Sequence, residues 1–229
     1  MRVLLLVRHG QASFGAKDYD ALSDLGHEQS RVLGRALAAR GVRPDVIVRG
    51  GMRRHDETAL GIVDGLGADV PVQVDDGWDE FDFQHVVEVH KPHYRSRTVM
   101  MADLARTLKP REAFQRVFEE ATLRWTGGEY DADYHESFPA FRSRVTDGLR
   151  RTADLAPDRG TVLVVSSGGP IGLVAAQLLA GDSSLWPQLN KVAVNTAVTK
   201  VLNGRSGLTL STYNEHGHLE HDRTLVTYR

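Results

Sequence analysis

Four groups of residues in this 229-residue chain carry side chains suited to phosphoryl transfer. Arg8-His9-Gly10 sets a permanent cation beside an imidazole and a glycine, and Gly50-Gly51-Met52-Arg53-Arg54 adds further guanidiniums. Asp75-Asp76-Gly77-Trp78-Asp79-Glu80 supplies carboxylates, and Ser166-Ser167-Gly168-Gly169 has the hydroxyls and small residues of a tight helix start. Guanidinium forks grip phosphate oxygens two at a time. Free amides at a helix N-terminus bind anions. A neutral imidazole can act as a nucleophile, and a carboxylic acid can protonate a leaving oxygen.

The hydrophobic pattern says how these groups come together. Residues 3–7 are apolar and partly β-branched, as in a strand buried on both faces. Ligands bind just beyond the carboxyl ends of such strands, where Arg8 and His9 fall, and Gly10 lets the chain turn and a ligand approach. A polar loop containing Gly15, Asp18 and Asp20 leads to Ser23, which opens an amphipathic helix ended by Gly41. Residues 45–48 predict a strand, 52–66 a helix and 70–74 another strand. This β-α-β-α-β order is the signature of a parallel sheet. Strand 161–165 runs into Ser166-Ser167-Gly168-Gly169-Pro170 and a helix over 171–179. Strands 196–202 and 208–213 flank Asn203-Gly204-Arg205-Ser206-Gly207, a hairpin turn that makes one sheet edge antiparallel. The expected fold is α/β: a three-layer α/β/α sandwich on a mostly parallel sheet with an antiparallel edge. The four chemical groups then share one sheet edge.

Most of the aromatics lie between Asp75 and Ala156, where strand signals are few and residues 111–125 and 138–156 read as helices. Without a proline- or serine-rich linker at either side, this stretch reads as a helical insertion over 76–156. It would cover the active site within a single domain of residues 1–229.

A formal net charge of −2 gives no basic field for nucleic acid. The absence of cysteine excludes disulfides and thiolate zinc sites and fits a cytoplasmic setting. The opening apolar run is too short for a signal peptide. The low-charge stretch 161–181 is broken by its Ser-Ser-Gly-Gly-Pro centre, so no membrane span is expected.

Taken in order, the motifs resemble those of the histidine phosphatase superfamily, the phosphoglycerate-mutase-like proteins. Leu6-Val7-Arg8-His9-Gly10-Gln11 matches the first motif and Leu22-Ser23-Asp24-Leu25-Gly26-His27-Glu28-Gln29 the entry to the first helix. Met52-Arg53-Arg54-His55-Asp56-Glu57-Thr58-Ala59 matches the block that carries the second arginine, at Arg54. Trp78-Asp79-Glu80-Phe81-Asp82 resembles the segment with the proton donor, at Glu80. The resemblance implies a phosphohistidine on His9, with Glu80 as the proton donor. It places phosphate on Arg8, Arg54, Ser167, Gly168, Gln11 and Ser13. It implies no metal and no cofactor, because the arginines supply the positive charge. The implied partner is a small-molecule phosphate ester or inorganic phosphate, and oligomeric state stays open, a homodimer included.

The chain departs from the family pattern at two places. Ser-His-Gly is the usual fourth motif, and its histidine binds phosphate; here that position is Ser167. A hydroxyl donates one hydrogen bond and carries no charge. The first-motif loop has Ala12 and Gly15 where Thr and Asn are common, with Ser13 as a substitute contact, and the mutases' Ser-x-Trp-Asn is absent. The reading is therefore a metal-independent phosphatase acting on a monoester. The alternative is a catalytically weakened phosphate-ester binding or regulatory protein on the same fold, and mutase-type phosphoryl transfer is the third option. A serine-hydrolase elbow at Ser167 fails because Val165 stands where Gly-x-Ser-x-Gly needs its first glycine. Two histidine groups, His85 with His90 and His93 and His216 with His218 and His221, lack regular metal-ligand spacing. The first, beside Lys91, Arg95 and Arg97, is read as a substrate lip.

Overall fold

The computed structural model describes residues 1–13 and 20–228; Gly15 and Asp18 of the first loop lie outside them. In chain order the elements are β1 (Arg2–Arg8), α1 (Asp24–Ala39), β2 (Val46–Arg49), α2 (Arg53–Leu66), β3 (Val72–Val74), α3 (Phe83–His90), α4 (Arg97–Ala105), α5 (Pro110–Thr126), α6 (Phe138–Leu155), β4 (Thr161–Ser166), α7 (Gly168–Ala180), α8 (Trp186–Val192), β5 (Val198–Gly204) and β6 (Gly207–Glu215). The strand order is β3-β2-β4-β1-β5-β6. β1 to β4 are mutually parallel, and β5 and β6 add an antiparallel edge. The three-layer, mostly parallel sandwich is the expected one.

β1 sits between β4 and β5, so both of its edges are paired, and helices packed on both faces explain its apolar run. Leu5 and Val7 join Leu33 and Leu37 of α1, Ile62 and Leu66 of α2, and Leu163 and Val165 of β4 in one core. Alternation turns Leu4 and Leu6 to the opposite face, where both are fully buried and α7 meets β1. α7 starts at Gly168, three residues before the expected 171, because Gly168-Gly169-Pro170 forms its first turn. Proline is well placed there, where the helix needs no N–H. The short α3, α4 and α8 were not signalled by periodicity; each is under three turns long.

The chain forms two compact units, Met1–Glu80 with Arg144–Arg229, and Phe81–Ser143. The first holds the sheet. In it the segment after β3 is fastened by fully buried Trp78, whose Nε1 donates to Thr152 Oγ1 at 2.9 Å. Arg151 pairs with Asp75 at 2.6 Å, and Arg144 donates to the Asp79 carbonyl at 2.9 Å. The second unit is helical and has its own aromatic core, with Phe81 stacked on Trp125 at 4.7 Å and Phe141 edge-on to Phe81 at 5.7 Å. Within it Lys91 is engaged by Tyr94 and Asp103. Among the described residues, no helix is long and apolar enough to cross a membrane.

The first motif is locked to α1 by contact between backbones. Ser23 caps α1 by accepting from the Gly26 amide, and its own amide donates to the Gln11 carbonyl. A Cβ on Gly26 would lie 2.2 Å from that carbonyl oxygen, and a Cβ on Gly10 would lie 2.4 Å from the Gly26 oxygen. Neither neighbour can yield, because the Gln11 amide is held by buried Gln29 at 2.8 Å. Gly26→Ala is therefore expected to destabilise the protein by about 1–3 kcal/mol, the usual cost of overpacking. A urea midpoint unchanged from wild type would refute this.

Candidate active site

His9 follows β1 directly. Its amide donates to Ser166 O at 2.8 Å, extending the β1–β4 ladder by one residue and setting His9 beside Ser167. Its carbonyl accepts from buried Asn195 Nδ2 at 3.0 Å. The ring is 6% exposed, and Nδ1 lies 2.7 Å from the Gly10 carbonyl. A carbonyl can only accept, so Nδ1 carries the proton and Nε2 the free lone pair. Burial first, then Arg54, Arg8 and His55, hold the His9 pKa well below 6.5. At neutral pH the ring is uncharged, with Nε2 able to act as a nucleophile.

The two adjacent arginines at the start of α2 differ in burial. Arg53 is exposed and pairs with Glu57 at 2.7 Å. Arg54 is buried, donating Nη1 to Asp20 at 2.6 Å while its buried Nε has no hydrogen-bond partner. The Arg54 carbonyl accepts from Thr58 Oγ1, which in turn accepts the Gly10 amide at 3.0 Å, so α2 and the first motif are tied together. Arg8 Nη1 donates to the carbonyls of Ala193 and Tyr228. Its Nε lies 3.7 Å from where a Cβ on Gly168 would sit, so the guanidinium reaches the start of α7.

Glu80 arrives at the same helix start, its Oε2 accepting from the Gly169 amide at 3.1 Å. Trp78 anchors it two residues upstream, and the Trp78 carbonyl also accepts from Ser166 Oγ at 2.6 Å. Arg8, His9, Arg54, Glu80, Ser167 and Gly168 all belong to the sheet-bearing unit. Gln11 and Ser13 are turned elsewhere: Gln11 Oε1 accepts from Ser23 at 2.9 Å and the Ser13 hydroxyl donates to Leu22 O at 2.9 Å. They brace the loop against α1.

Motif reasoning gave His55 no role, yet it is fully buried, with Nε2 2.8 Å from Ser167 Oγ and its ring 5.8 Å from that of His9. Asp79 Oδ1 stands 3.8 Å from His55 Nδ1, beyond hydrogen-bond distance. Ser167, His55 and Asp79 thus stand in the order of a hydrolase triad with its second link open. The contact of His55 with Ser167 joins residues 112 apart in sequence, so no local pattern marked it. The histidine groups disperse. His90 pairs with Glu120 at 3.4 Å, His85 stacks on His135 at 3.9 Å, and His218 bonds Thr196 at 3.3 Å. Among the described residues no three His, Asp or Glu side chains form a metal-holding group.

Three histidines bind protons less readily folded than unfolded. His9 and His55 have pKa values well below 6.5, and His218 is lowered to about 4, burial being the first cause in each. Below pH 6.5 the unfolded chain takes up protons that the folded one refuses, so stability is full above that pH and falls as pH drops toward the folded values. Each group removes up to about 1.4 kcal/mol per pH unit. The urea midpoint should fall clearly between pH 7.5 and 5.5, and a flat profile would contradict the burial of these rings.

Comparison with known proteins finds relatives of the sequence and of the fold. Residues 4–216 match the model of the histidine phosphatase superfamily (branch 1). A 2,3-bisphosphoglycerate-dependent phosphoglycerate mutase from Methylobacterium sp. (strain 4-46) is 33% identical over 42% of this chain and 50% of its own length. The chain thus spans about half the length of the curated relatives it matches. The fold is shared with phosphoglycerate mutase from Bacillus anthracis str. Sterne, at a TM-score of 0.66 and 17% identity over 95% of both chains. It is shared too with mycobacterial glucosyl-3-phosphoglycerate phosphatase, at 0.62 and 21% identity over 95% of this chain and 100% of the other.

Proposed function

The chain belongs to the histidine phosphatase superfamily, and we propose that it hydrolyses a small-molecule phosphate monoester through a phosphohistidine on His9. The observation that carries this reading is a buried, neutral imidazole with its Nε2 lone pair free, beside a buried Arg54 whose Nε has no protein partner. Nε2 attacks phosphorus while Arg54 and Arg8 take the charge that develops on the equatorial oxygens. The phosphorus–oxygen ester bond breaks, and the departing alkoxide takes a proton from Glu80. Water then gives its proton back to the Glu80 carboxylate as it attacks the phosphohistidine, releasing inorganic phosphate and His9. No metal takes part, since the guanidiniums supply the positive charge.

The test is hydrolysis of a generic aryl phosphate in EDTA by the wild-type protein and by His9→Ala. Turnover well above the variant supports the phosphatase; equality with it favours the binding or regulatory reading. Because the curated relatives are mutases, the same assay with phosphoglycerate and a bisphosphoglycerate activator belongs beside it. Phosphoryl transfer that requires the activator would favour the mutase.

A further inference from the structure

We propose that His55 and Ser167 work as one unit, in which the buried imidazole directs the serine hydroxyl onto a phosphoryl oxygen and delivers positive charge one hydrogen bond behind it. The inference rests on the phosphatase reading and supplies that site's donor on the β4 side.

Ser167 begins α7 with extended backbone (φ −114°, ψ 173°), the setting in which a serine usually accepts from the helix's own amides. It makes no such bond; its Oγ is engaged by His55 Nε2 instead. The chain makes room for that imidazole. A Cβ on Gly50 would lie 2.3 Å from His55 Nδ1 and 2.5 Å from Asp79 Oδ1, so the turn after β2 leaves space for both ring and carboxylate. Asp79 is itself held by the Gly51 amide at 2.6 Å. A buried ring could simply fill space, but here it is bonded to the hydroxyl next to the nucleophile, with an unpartnered buried Nδ1 facing a carboxylate.

The hydrogen-bond inventory then fixes two states. In the neutral state Asp79 favours the proton on Nδ1, so Nε2 accepts the Ser167 hydroxyl proton and the hydroxyl is turned away from ligand. When His55 gains a proton from solvent, Nε2–H donates to Ser167 Oγ, and the serine's own proton is released toward a phosphoryl oxygen. The charged neighbours set the balance. Arg54 on α2 and Arg49 at the end of β2 oppose the proton, as does burial, and Asp79 after β3 favours it. His9 on β1 stays neutral. An arriving phosphate dianion adds the missing negative charge, so phosphate binding and proton uptake are coupled.

The experiment uses inorganic phosphate, with calorimetry in buffers of different ionisation enthalpy. Wild type and His9→Ala should both bind with uptake of about one proton near pH 7.5, which separates His55 from His9 as the acceptor. His55→Gln keeps a donor for Ser167 but cannot be charged; it should bind phosphate about tenfold more weakly, the scale of a lost charge-assisted bond, without proton uptake. The reciprocal double variant His55→Ala with Ser167→His moves the imidazole to the other side of the bond. It should recover most of the affinity lost in His55→Ala, and it serves if His55→Gln fails to fold. Unchanged affinity and unchanged proton uptake in His55→Gln, or no recovery in the folded double variant, would overturn the proposal. Phosphate binding that behaves as expected in a protein with no turnover above His9→Ala would instead overturn the phosphatase reading alone.

Discussion

Replacing His9 by alanine is expected to lower aryl phosphate turnover by about four orders of magnitude or more, the scale seen when an attacking nucleophile is removed. The size follows from the absence of a substitute at that place. His55 is the other imidazole near the ring, but its Nε2 is tied to Ser167 and its Nδ1 faces Asp79. The Ser167 hydroxyl is engaged by His55 Nε2 at 2.8 Å. Phosphate affinity should survive in His9→Ala, because Arg54, Arg8 and the α7 start remain and an uncharged ring is what is lost. Brief incubation of wild type with a radiolabelled aryl phosphate, then a quench, should trap label on the protein that is lost in acid and kept in alkali, as a phosphorus–nitrogen bond requires. His9→Ala should carry none. Label that resists acid would place the phosphoryl group on oxygen and end the phosphohistidine reading.

Much of this site was legible because its parts are local. The β1 run, the Ser23 cap and the break at Ser166-Ser167-Gly168-Gly169-Pro170 are each written in neighbouring residues, and the parallel sheet brings their ends to one edge. Telling Arg54 from Arg53 required the ordered motifs; in the structure the distinction is burial, since Arg53 projects from α2 toward Glu57 while Arg54 turns inward. What could not be read is long-range. The contact between His55 and Ser167 joins residues 112 apart in sequence, and Arg8 reaches Ala193 and Tyr228 across 185 and 220 residues. Ser167 alone looks like a loss of charge, and only its neighbour in space changes that meaning. Gln11 and Ser13 show the reverse: polar residues beside a motif are as readily used to hold a loop as to hold a ligand.

Arg54→Ala should reduce kcat/KM by about three orders of magnitude, mostly through kcat, because its fork is most valuable when charge builds on the equatorial oxygens. Arg54→Lys should restore little, since a point charge cannot grip two oxygens at once. The partner in the ligand-free protein refines the expectation. Asp20 Oδ1 accepts from Arg54 Nη1 at 2.6 Å, while its Oδ2 accepts the Arg53 amide at 2.8 Å and so caps α2. A phosphate must share the guanidinium with that carboxylate or displace it. Asp20→Asn keeps the cap and removes the competing charge, so KM should fall severalfold with kcat nearly unchanged. In Arg54→Ala the Asp20 carboxylate loses the guanidinium it pairs with and keeps its negative charge beside the phosphate site. Adding Asp20→Asn to that variant should therefore recover part of the lost activity, and the two effects should not add. Steady-state kinetics on the four proteins closes the cycle. An Arg54→Ala enzyme within about tenfold of wild type would show that the buried guanidinium stabilises α2 rather than the transition state.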